Sequence, residues 1–393
     1  MQQRRETNNL LEAIVDLLDI PPSYYEKATE RYRSLGRWLH REESKVAHLA
    51  PEVYLQGSFR YGTVIRPLIR SDEYDLDLAC QVDLDKADIT QKQLKHLIGD
   101  EMKSYARANG IIAPIVERKR CWRMDYADDV SFHMDILPCV PEDAGIIRSI
   151  CSAGVSAHLA ARSVAITDRG SPEYDRISRQ WPCGNPRGLG DWFEERAKPG
   201  ASQRIASLVE RKLYASIDQV PSYEWKTPLQ RAIQILKRHR DVMFKDDPEF
   251  APISMIITVL AANAYQGELT LLHAIQGIVS RIPHSIGPMK PRIPNPVNPG
   301  EDFSDRWASD SNYEHNFWIW LAQVKSDLEN LPSIIPGGKL AAEVRSRFRV
   351  DLTDEQLRAL TASAGPAVHQ GPITEPRVHI SASAAPKPWR RGG

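Results

Sequence analysis

Two aspartates stand at a spacing that suits metal chemistry. Asp75 and Asp77 lie two residues apart in the alternating stretch Tyr74-Asp-Leu-Asp-Leu. On a β-strand, side chains two residues apart point to the same face, so both carboxylates would face one space. Such carboxylates repel each other, and hard divalent cations prefer oxygen ligands. The pattern therefore predicts a divalent metal site, although a solvated strand face is the commoner use of such a pair.

A third aspartate could complete this site. Asp135 lies in the stretch Phe132-His-Met-Asp-Ile-Leu, in which the alternating apolar residues fit a core-facing side and leave Asp135 on the polar side. If this strand neighbours the first one, the three carboxylates form a clamp for two metal ions. The alternative is a charge on an edge strand.

A Gly-Ser pair precedes the aspartates. Gly57 would let the backbone approach a phosphate, and the Ser58 hydroxyl could hydrogen-bond that phosphate. If the next residues begin a helix, the helix N-terminus adds a favourable dipole. Alone, the pair is typical of a plain turn. Together with the aspartates it favours phosphoryl transfer, in which metal ions activate an attacking hydroxyl and neutralise a triphosphate.

Helices and adjacent strands surround these residues. The leucine spacing predicts a first helix that reaches Leu18, and Pro21-Pro22 then breaks the chain before a long polar helix. Ser23 could cap this second helix, which is expected to run toward Val46. The following elements are expected as a strand at 53–57, a strand at 74–82, a helix at 86–109, strands at 111–117 and 118–125, and a strand at 130–137.

The second half of the chain is predicted to be mainly helical. Thr227-Pro228 is a helix start signal, because a capping hydroxyl is followed by proline at the first helical position. Apolar or aromatic periodicity predicts further helices at 253–265 and 312–331, and a capped terminal helix after Thr353.

Composition excludes several classes of protein. Lysine and arginine total 51 and aspartate and glutamate total 51, so the formal net charge is zero. Proteins that coat long nucleic acids are usually strongly basic, so we expect no long nucleic-acid template. The apolar runs are shorter than the roughly 20 residues that span a bilayer, and the five cysteines form no CxxC pair. We expect a cytoplasmic protein with no membrane contact.

The sequence motifs around the aspartates resemble those of a known family. They are similar to motifs of the CD-NTases, bacterial relatives of cyclic GMP–AMP synthase and oligoadenylate synthase. The resemblance implies an α+β fold, with a polymerase-β-like nucleotidyltransferase lobe that has a mixed sheet and packs against a helical lobe of the oligoadenylate synthase type. The strings that carry it are Gln56-Gly-Ser-Phe-Arg-Tyr-Gly-Thr, Tyr74-Asp-Leu-Asp-Leu, His133-Met-Asp-Ile-Leu-Pro, Pro228-Leu-Gln-Arg-Ala-Ile-Gln-Ile-Leu-Lys and Ile293-Pro-Asn-Pro-Val-Asn-Pro.

The same resemblance suggests a division of the chain into four parts. The first part is a pair of N-terminal helices within the bilobal core, the second is the nucleotidyltransferase lobe, the third is the helical lobe, and the fourth is a flexible tail that ends in Gly-Gly. The expected boundaries are 1–50, 51–225, 226–360 and 361–393.

The resemblance also implies roles for single residues. Two Mg²⁺ ions, which Mn²⁺ could replace, would be held by Asp75, Asp77 and Asp135, the last of which would also help to activate the acceptor hydroxyl. The donor triphosphate would contact Gly57, Ser58, Lys237 and Ser254. From the residues alone, Lys237 equally fits a solvated basic face with its neighbours Arg238, His239 and Arg240, and Ser254 fits an ordinary serine early in a helix.

The activity that the resemblance implies is the synthesis of a cyclic oligonucleotide. Such enzymes take two or three nucleoside triphosphates, here expected to be ATP and/or GTP, and release pyrophosphate. In bacteria they act in CBASS anti-phage defence, where the product activates a separate effector protein. Other interpretations stay open, namely a polymerase-β-like transferase that acts on RNA or protein, and a catalytically silent nucleotide-binding scaffold.

The C-terminal residues could have a second role. The tail ends in Arg390-Arg-Gly-Gly, and its composition predicts flexibility. Some CD-NTases are joined to targets through their C-terminus by a companion activating and conjugating enzyme, which would make Gly393 a conjugation site. A frayed terminus is the alternative. The tryptophans Trp181, Trp192 and Trp225 fit base stacking, although tryptophan more often packs in a core.

Overall fold

The computed structural model describes residues 2–69, 73–126, 132–210, 226–334 and 340–362. Within these stretches the chain forms thirteen α-helices and nine β-strands. Seven of these nine strands lie before residue 185, and the described residues that follow are mainly helical.

Seven strands form one sheet, with the order β1-β2-β5-β4-β3, with β6 paired to β5 and with β7 paired to β6. β2 and β5 are parallel, whereas the other pairs are antiparallel, so the sheet is mixed. β8 and β9 form a separate pair. The strands are β1 Glu52–Leu55, β2 Tyr74–Gln81, β3 Val116–Glu117, β4 Trp122–Tyr126, β5 Phe132–Pro141, β6 Val164–Ile166, β7 Cys183–Gly184, β8 Pro294–Asn295 and β9 Asn298–Asp302.

The helices confirm most of the positions predicted from periodicity, including those near residues 86–109, 253–265 and 312–331. They are α1 Gln2–Leu18, α2 Pro22–Leu39, α3 Gly57–Tyr61, α4 Gln91–Ala108, α5 Ala144–Ser152, α6 Ala157–Ala160, α7 Pro186–Glu210, α8 Pro228–Met243, α9 Ser254–Ala264, α10 Leu271–Arg281, α11 Ser311–Ile334, α12 Leu340–Phe348 and α13 Asp354–Ala362.

The start of α8 is fixed by its sequence. The Thr227 hydroxyl accepts a hydrogen bond from the Gln230 backbone amide, and the Gln230 side chain accepts one from the Thr227 amide. This reciprocal capping box satisfies two donors at the helix N-terminus. Pro228 stands at the first helical position, where its missing N–H costs nothing. The predicted start of the helix is confirmed.

The prediction for the second helix was wrong at both ends. α2 begins at Pro22, with Pro21 rather than Ser23 at the capping position, because proline fits the first helical position without a hydrogen bond. The helix ends at Leu39 rather than near Val46. There the Arg41 guanidinium donates to the Trp38 carbonyl and satisfies one of the last helical acceptors.

Two large hydrophobic cores lie side by side, with a smaller third cluster around Cys139. The sheet core packs α2 and α4 against one face of β2, β4 and β5. The helical core joins α1 to the helices from α5 to α13. The segment that begins at α3 contributes to both, since Phe59 and Val64 belong to the sheet core and Tyr61 to the helical core. The four-part division of the chain stays a prediction.

Of the helices in the described stretches, none combines the length and the apolar character that a bilayer crossing requires.

Candidate active site

The sheet brings the three predicted carboxylates together. β2 and β5 are parallel neighbours, and their register places Asp77 beside Asp135 and Asp75 beside His133. Leu76 and the other intervening apolar residues of both strands are fully buried on the opposite face. Because β5 lies between β2 and β4, the interpretation of Asp135 as an edge-strand charge is wrong.

The electrostatics of this cluster favour a bound cation. Burial raises the pKa of Asp77 to about 7, and repulsion from Asp75 and Asp135 adds to the rise. Desolvation also raises the pKa of Asp75, with a further contribution from Asp135. A hard divalent cation would relieve this repulsion, and carboxylate oxygens are the ligands that it prefers. The residues present therefore fit a divalent metal site.

Gly57 packs directly against one of these carboxylates. Its φ angle is +62°, and a Cβ atom at this position would overlap the Asp77 Oδ2 atom. The preceding Gln56 amide donates to the Asp77 carbonyl at 2.9 Å, and its side-chain amide donates to the Leu78 carbonyl at 3.0 Å. The Gly-Ser turn is thus attached to β2, and only glycine fits between the turn and the carboxylate.

Ser58 lies in the first turn of α3, the short helix that the sequence left open as a possibility. Its carbonyl accepts a hydrogen bond of 3.0 Å from the Thr63 amide, and this bond closes the chain after the helix. The pair Gly57-Ser58 therefore forms a tight turn at a helix start, beside the carboxylates.

Lys237 reaches the same place from the helical core. Its side chain is only 4% exposed, and its Nζ donates to Thr63 Oγ1 at 3.0 Å and to the Thr63 carbonyl at 3.2 Å. The pKa of Lys237 is lowered to about 7, mainly by burial and to a smaller extent by repulsion from Arg240. Arg238 and His239 are buried as well, so the interpretation of this run as a solvated basic face is wrong.

Ser254 is the first residue of α9 and lines the same cleft as Lys237. Its hydroxyl accepts a hydrogen bond of 3.1 Å from Arg240 Nη2, and Arg240 Nη1 donates to the Pro252 carbonyl at 2.6 Å. Arg240 thereby fixes the start of α9. A helix N-terminus, a hydroxyl and two cationic side chains meet here, which is a favourable set for an anion.

These groups line one cleft between the two cores, with a volume of about 360 Å³. The carboxylates stand on its sheet side and the basic groups on its helical side. Asp135 lies just outside this lining. The six sequence-predicted residues that share the lining are Gly57, Ser58, Asp75, Asp77, Lys237 and Ser254. The last predicted site residue, Gly393, and also Trp225, lie outside the residues that the structure describes.

Sequence reasoning missed Arg123 in β4. The register of β4 and β5 places Arg123 opposite Asp135, and its guanidinium holds both carboxylate oxygens at 2.8 and 2.7 Å. Its Nη2 also lies 3.5 Å from Asp75 Oδ1. Hydrogen bonding to Asp135 raises the pKa of Arg123. The alternation in β4 could have placed Arg123 on the polar face, but its partner depends on a strand pairing that the sequence does not reveal.

A second polar cluster adjoins the site. His133 Nδ1 lies 2.7 Å from Glu73 Oε2 and 2.7 Å from Asp125 Oδ1. Within the described stretches, these three residues form one group with the composition and spacing of a metal site. Within the sheet, His133 pairs with Asp75 on one side and with Asp125 on the other, two residues along β5 from Asp135.

The chain is similar in sequence to proteins of known function. Residues 51–138 match the family model described as the nucleotidyltransferase domain of cyclic GMP-AMP synthase DncV-like proteins. The chain is 25% identical to the c-di-GMP synthase of Roseivirga ehrenbergii over 84% of this chain and 80% of that protein. It is 24% identical to the cyclic dinucleotide synthase CdnG of Bradyrhizobium diazoefficiens over 79% of this chain and 73% of that protein.

Solved structures show the shared fold. The structure of the same CdnG in complex with GTP aligns with a TM-score of 0.64 at 21% identity, covering 91% of this chain and 98% of that chain. The structure of E. coli MS115-1 CdnC with ATP aligns with a TM-score of 0.56 at 12% identity, covering 88% of this chain and 98% of that chain. The α+β, polymerase-β-like fold class expected from the sequence is confirmed.

Proposed function

Because the chain belongs to the CD-NTase family of nucleotidyltransferases, we propose that it joins nucleoside triphosphates into a cyclic di- or trinucleotide. One observation carries the proposal. The carboxylates Asp75 and Asp77 line a single cleft together with Lys237, Ser254 and the Gly57-Ser58 turn. This arrangement offers a metal-binding side and a phosphate-binding side to one triphosphate.

The residues have distinct tasks in this reaction. Asp75, Asp77 and Asp135 would hold two Mg²⁺ ions, for which Mn²⁺ could substitute. When bound, such ions lower the pKa of an attacking hydroxyl and neutralise the pyrophosphate leaving group. Asp135 adjoins Asp77 from the next strand, where it would also help to orient the acceptor hydroxyl.

The donor triphosphate would lie between the cradle and the helical side. The amides of Gly57 and Ser58 and the Ser254 hydroxyl would donate to its phosphate oxygens, and the Lys237 ammonium would balance their charge. The oxygen of the acceptor hydroxyl then forms a bond to the α-phosphorus. At the same time, the bond between the α-phosphorus and the oxygen that bridges it to the β-phosphate breaks. The hydroxyl proton leaves to a nearby base or water, and pyrophosphate departs. A second transfer between the two ends releases a second pyrophosphate and closes the ring of a dinucleotide, and a trinucleotide needs a third transfer.

We propose GTP, alone or with ATP, as the substrate. The relatives named above support this choice, since one is a c-di-GMP synthase and another was solved with GTP. By the same family membership, the product would be a second messenger that activates a separate effector in bacterial anti-phage defence.

Conjugation of Gly393 by a companion enzyme is a further part of the proposal, supported by the family resemblance and the Gly-Gly ending. Mass spectrometry of cells that carry the full operon should find a peptide in which a lysine side chain is joined to the C-terminal residues of this protein. If this adduct is missing while the intact protein is abundant, the conjugation role is wrong.

The main test is an incubation of the pure protein with labelled triphosphates and Mg²⁺. We expect a small labelled product that resists phosphatase, with pyrophosphate released. The double variant Asp75→Ala, Asp77→Ala should make none, whereas Asp100→Ala, which removes an exposed carboxylate from α4, should remain active. Label that is transferred only to added RNA or protein would favour a macromolecular transferase, and inactivity with every triphosphate would favour a silent scaffold.

A further inference from the structure

The geometry points to Arg123 as the resident counter-ion of the catalytic carboxylates, which an incoming divalent cation must displace or share. This role rests on the proposed function, because it takes Asp75, Asp77 and Asp135 as the ligands of that cation. Arg123 would be a positioning residue, since it acts through Asp135 and not on the substrate.

The contacts of Arg123 carry the inference. Its Nε and Nη2 donate to the two oxygens of Asp135 at 2.8 and 2.7 Å, which is the bidentate geometry of a guanidinium and a carboxylate. The same Nη2 also reaches Asp75 at 3.5 Å. One guanidinium thus bridges two of the three carboxylates, which come from different strands.

This bridge occupies positions that a cation would need. Both Asp135 oxygens already accept a charge-assisted hydrogen bond, so a metal ion must take another lone pair or draw the carboxylate away from the guanidinium. The Arg123 side chain is 23% exposed, which leaves it room to move. Of the neighbouring acids, Asp125 hydrogen-bonds to His133, and Glu73 lies 2.7 Å from the same ring nitrogen. Asp135 remains the bidentate partner of Arg123.

The charge of Arg123 should weaken the binding of divalent cations. A guanidinium within hydrogen-bonding distance of two ligands repels a dication bound to them, and Coulomb's law makes this repulsion significant even at the dielectric constant of water. Removing the charge should lower the dissociation constant of the cation by about tenfold or more. Lysine would keep the charge but lose the bidentate fork, so it should lower the constant by a smaller factor.

The probe is Mn²⁺ alone, titrated into the nucleotide-free full-length protein, with free Mn²⁺ measured by electron paramagnetic resonance. The variants are Arg123→Gln and Arg123→Lys. The matched control is Arg120→Gln, which removes an arginine three residues away that pairs with Asp168 instead. We expect the dissociation constant of Mn²⁺ to be highest for wild type, lower for Arg123→Lys and lowest for Arg123→Gln. For Arg120→Gln it should stay within about twofold of the wild-type value.

An unchanged or higher dissociation constant in Arg123→Gln would overturn the inference. If that variant fails to fold, as judged by thermal melting in EDTA, the comparison of Arg123→Lys with wild type decides in the same way. The double variant Asp75→Asn, Asp77→Asn separates the two claims. If it binds Mn²⁺ as wild type does, the metal assignment fails and this inference with it. If it loses Mn²⁺ binding while the Arg123 variants match wild type, only the role of Arg123 is wrong.

Discussion

Gly57 lies so close to Asp77 that even a methyl group at its position would overlap the carboxylate. We therefore predict that Gly57→Ala lowers the turnover of nucleoside triphosphates by about 100-fold, the loss expected when reacting groups are displaced by about 1 Å. The positive φ angle should also cost about 1–2 kcal/mol of stability. Turnover per folded molecule and the free energy of unfolding are the quantities to measure.

Gly110 provides the control for this change. It has a similar φ angle of +69°, but a Cβ atom there would meet no atom of the described residues within 4 Å. Gly110→Ala should lose a similar amount of stability and keep its turnover. Equal turnover in the two variants would show that the contact between Gly57 and Asp77 has no catalytic importance.

Lys237 should make the stability of the protein depend on pH. Its pKa is about 7 in the folded chain, against an ordinary value of 10.5. Between these values the unfolded chain binds more protons than the folded chain, so the free energy of unfolding should rise as the pH increases from 7 toward 10. The slope that this one group contributes is at most about 1.4 kcal/mol per pH unit.

Urea unfolding of wild type and Lys237→Met between pH 7 and 9.5 measures this effect. As the pH rises, the free energy of unfolding of wild type should increase relative to that of Lys237→Met. Parallel pH profiles would mean that Lys237 is not held in a desolvated position, and would weaken its assignment to the phosphate-binding side.

At the scale of elements, α8 fastens the chain that follows the Gly57-Ser58 turn to the helical core. Four of its side chains donate hydrogen bonds to the segment 61–66, which begins at the last residue of α3. Gln230 donates to the Tyr61 carbonyl and Gln234 to the Val64 carbonyl, at 2.9 and 2.7 Å. Lys237 and Arg238 extend the series to Thr63 and Arg66. The helix thus controls the position of a loop that lies far from it in sequence.

We predict that Gln234→Leu destabilises the protein and slows catalysis together. The side chain is fully buried, so its loss leaves the Val64 carbonyl without this donor at a cost of about 1–3 kcal/mol. Thr227→Ala, which removes only the cap of the same helix, should cost about 1 kcal/mol and keep the turnover of folded molecules. The two variants need unfolding curves and turnover measured side by side. A normal turnover in Gln234→Leu would contradict the role assigned to α8.

The elements themselves were largely predictable, because their signals are local. Alternation placed Asp75, Asp77 and Asp135 on the polar faces of two strands, and the Thr227 cap marked the start of α8. The run that contains Lys237 has the composition of a solvated surface. It is buried because it meets Thr63, 174 positions away. The contact between Arg123 and Asp135 likewise depends on strand register, for which the local sequence carries no signal.

At the scale of the whole molecule, the cleft exists because the chain passes repeatedly between two cores. α1 packs in the helical core and α2 in the sheet core, and the segment that begins at α3 takes part in both. The proposed metal-binding side therefore belongs to one core and most of the proposed phosphate-binding side to the other. Neither core alone could hold a triphosphate, so we expect activity to depend on both.

The most direct test of this account is a crystal structure of the protein with Mg²⁺ and a non-hydrolysable GTP analogue. We predict metal ions at about 2.1 Å from carboxylate oxygens of Asp75 and Asp77, and the triphosphate between the Gly57-Ser58 turn and Lys237. An analogue bound outside this cleft, or metal ions held by other residues, would contradict the account.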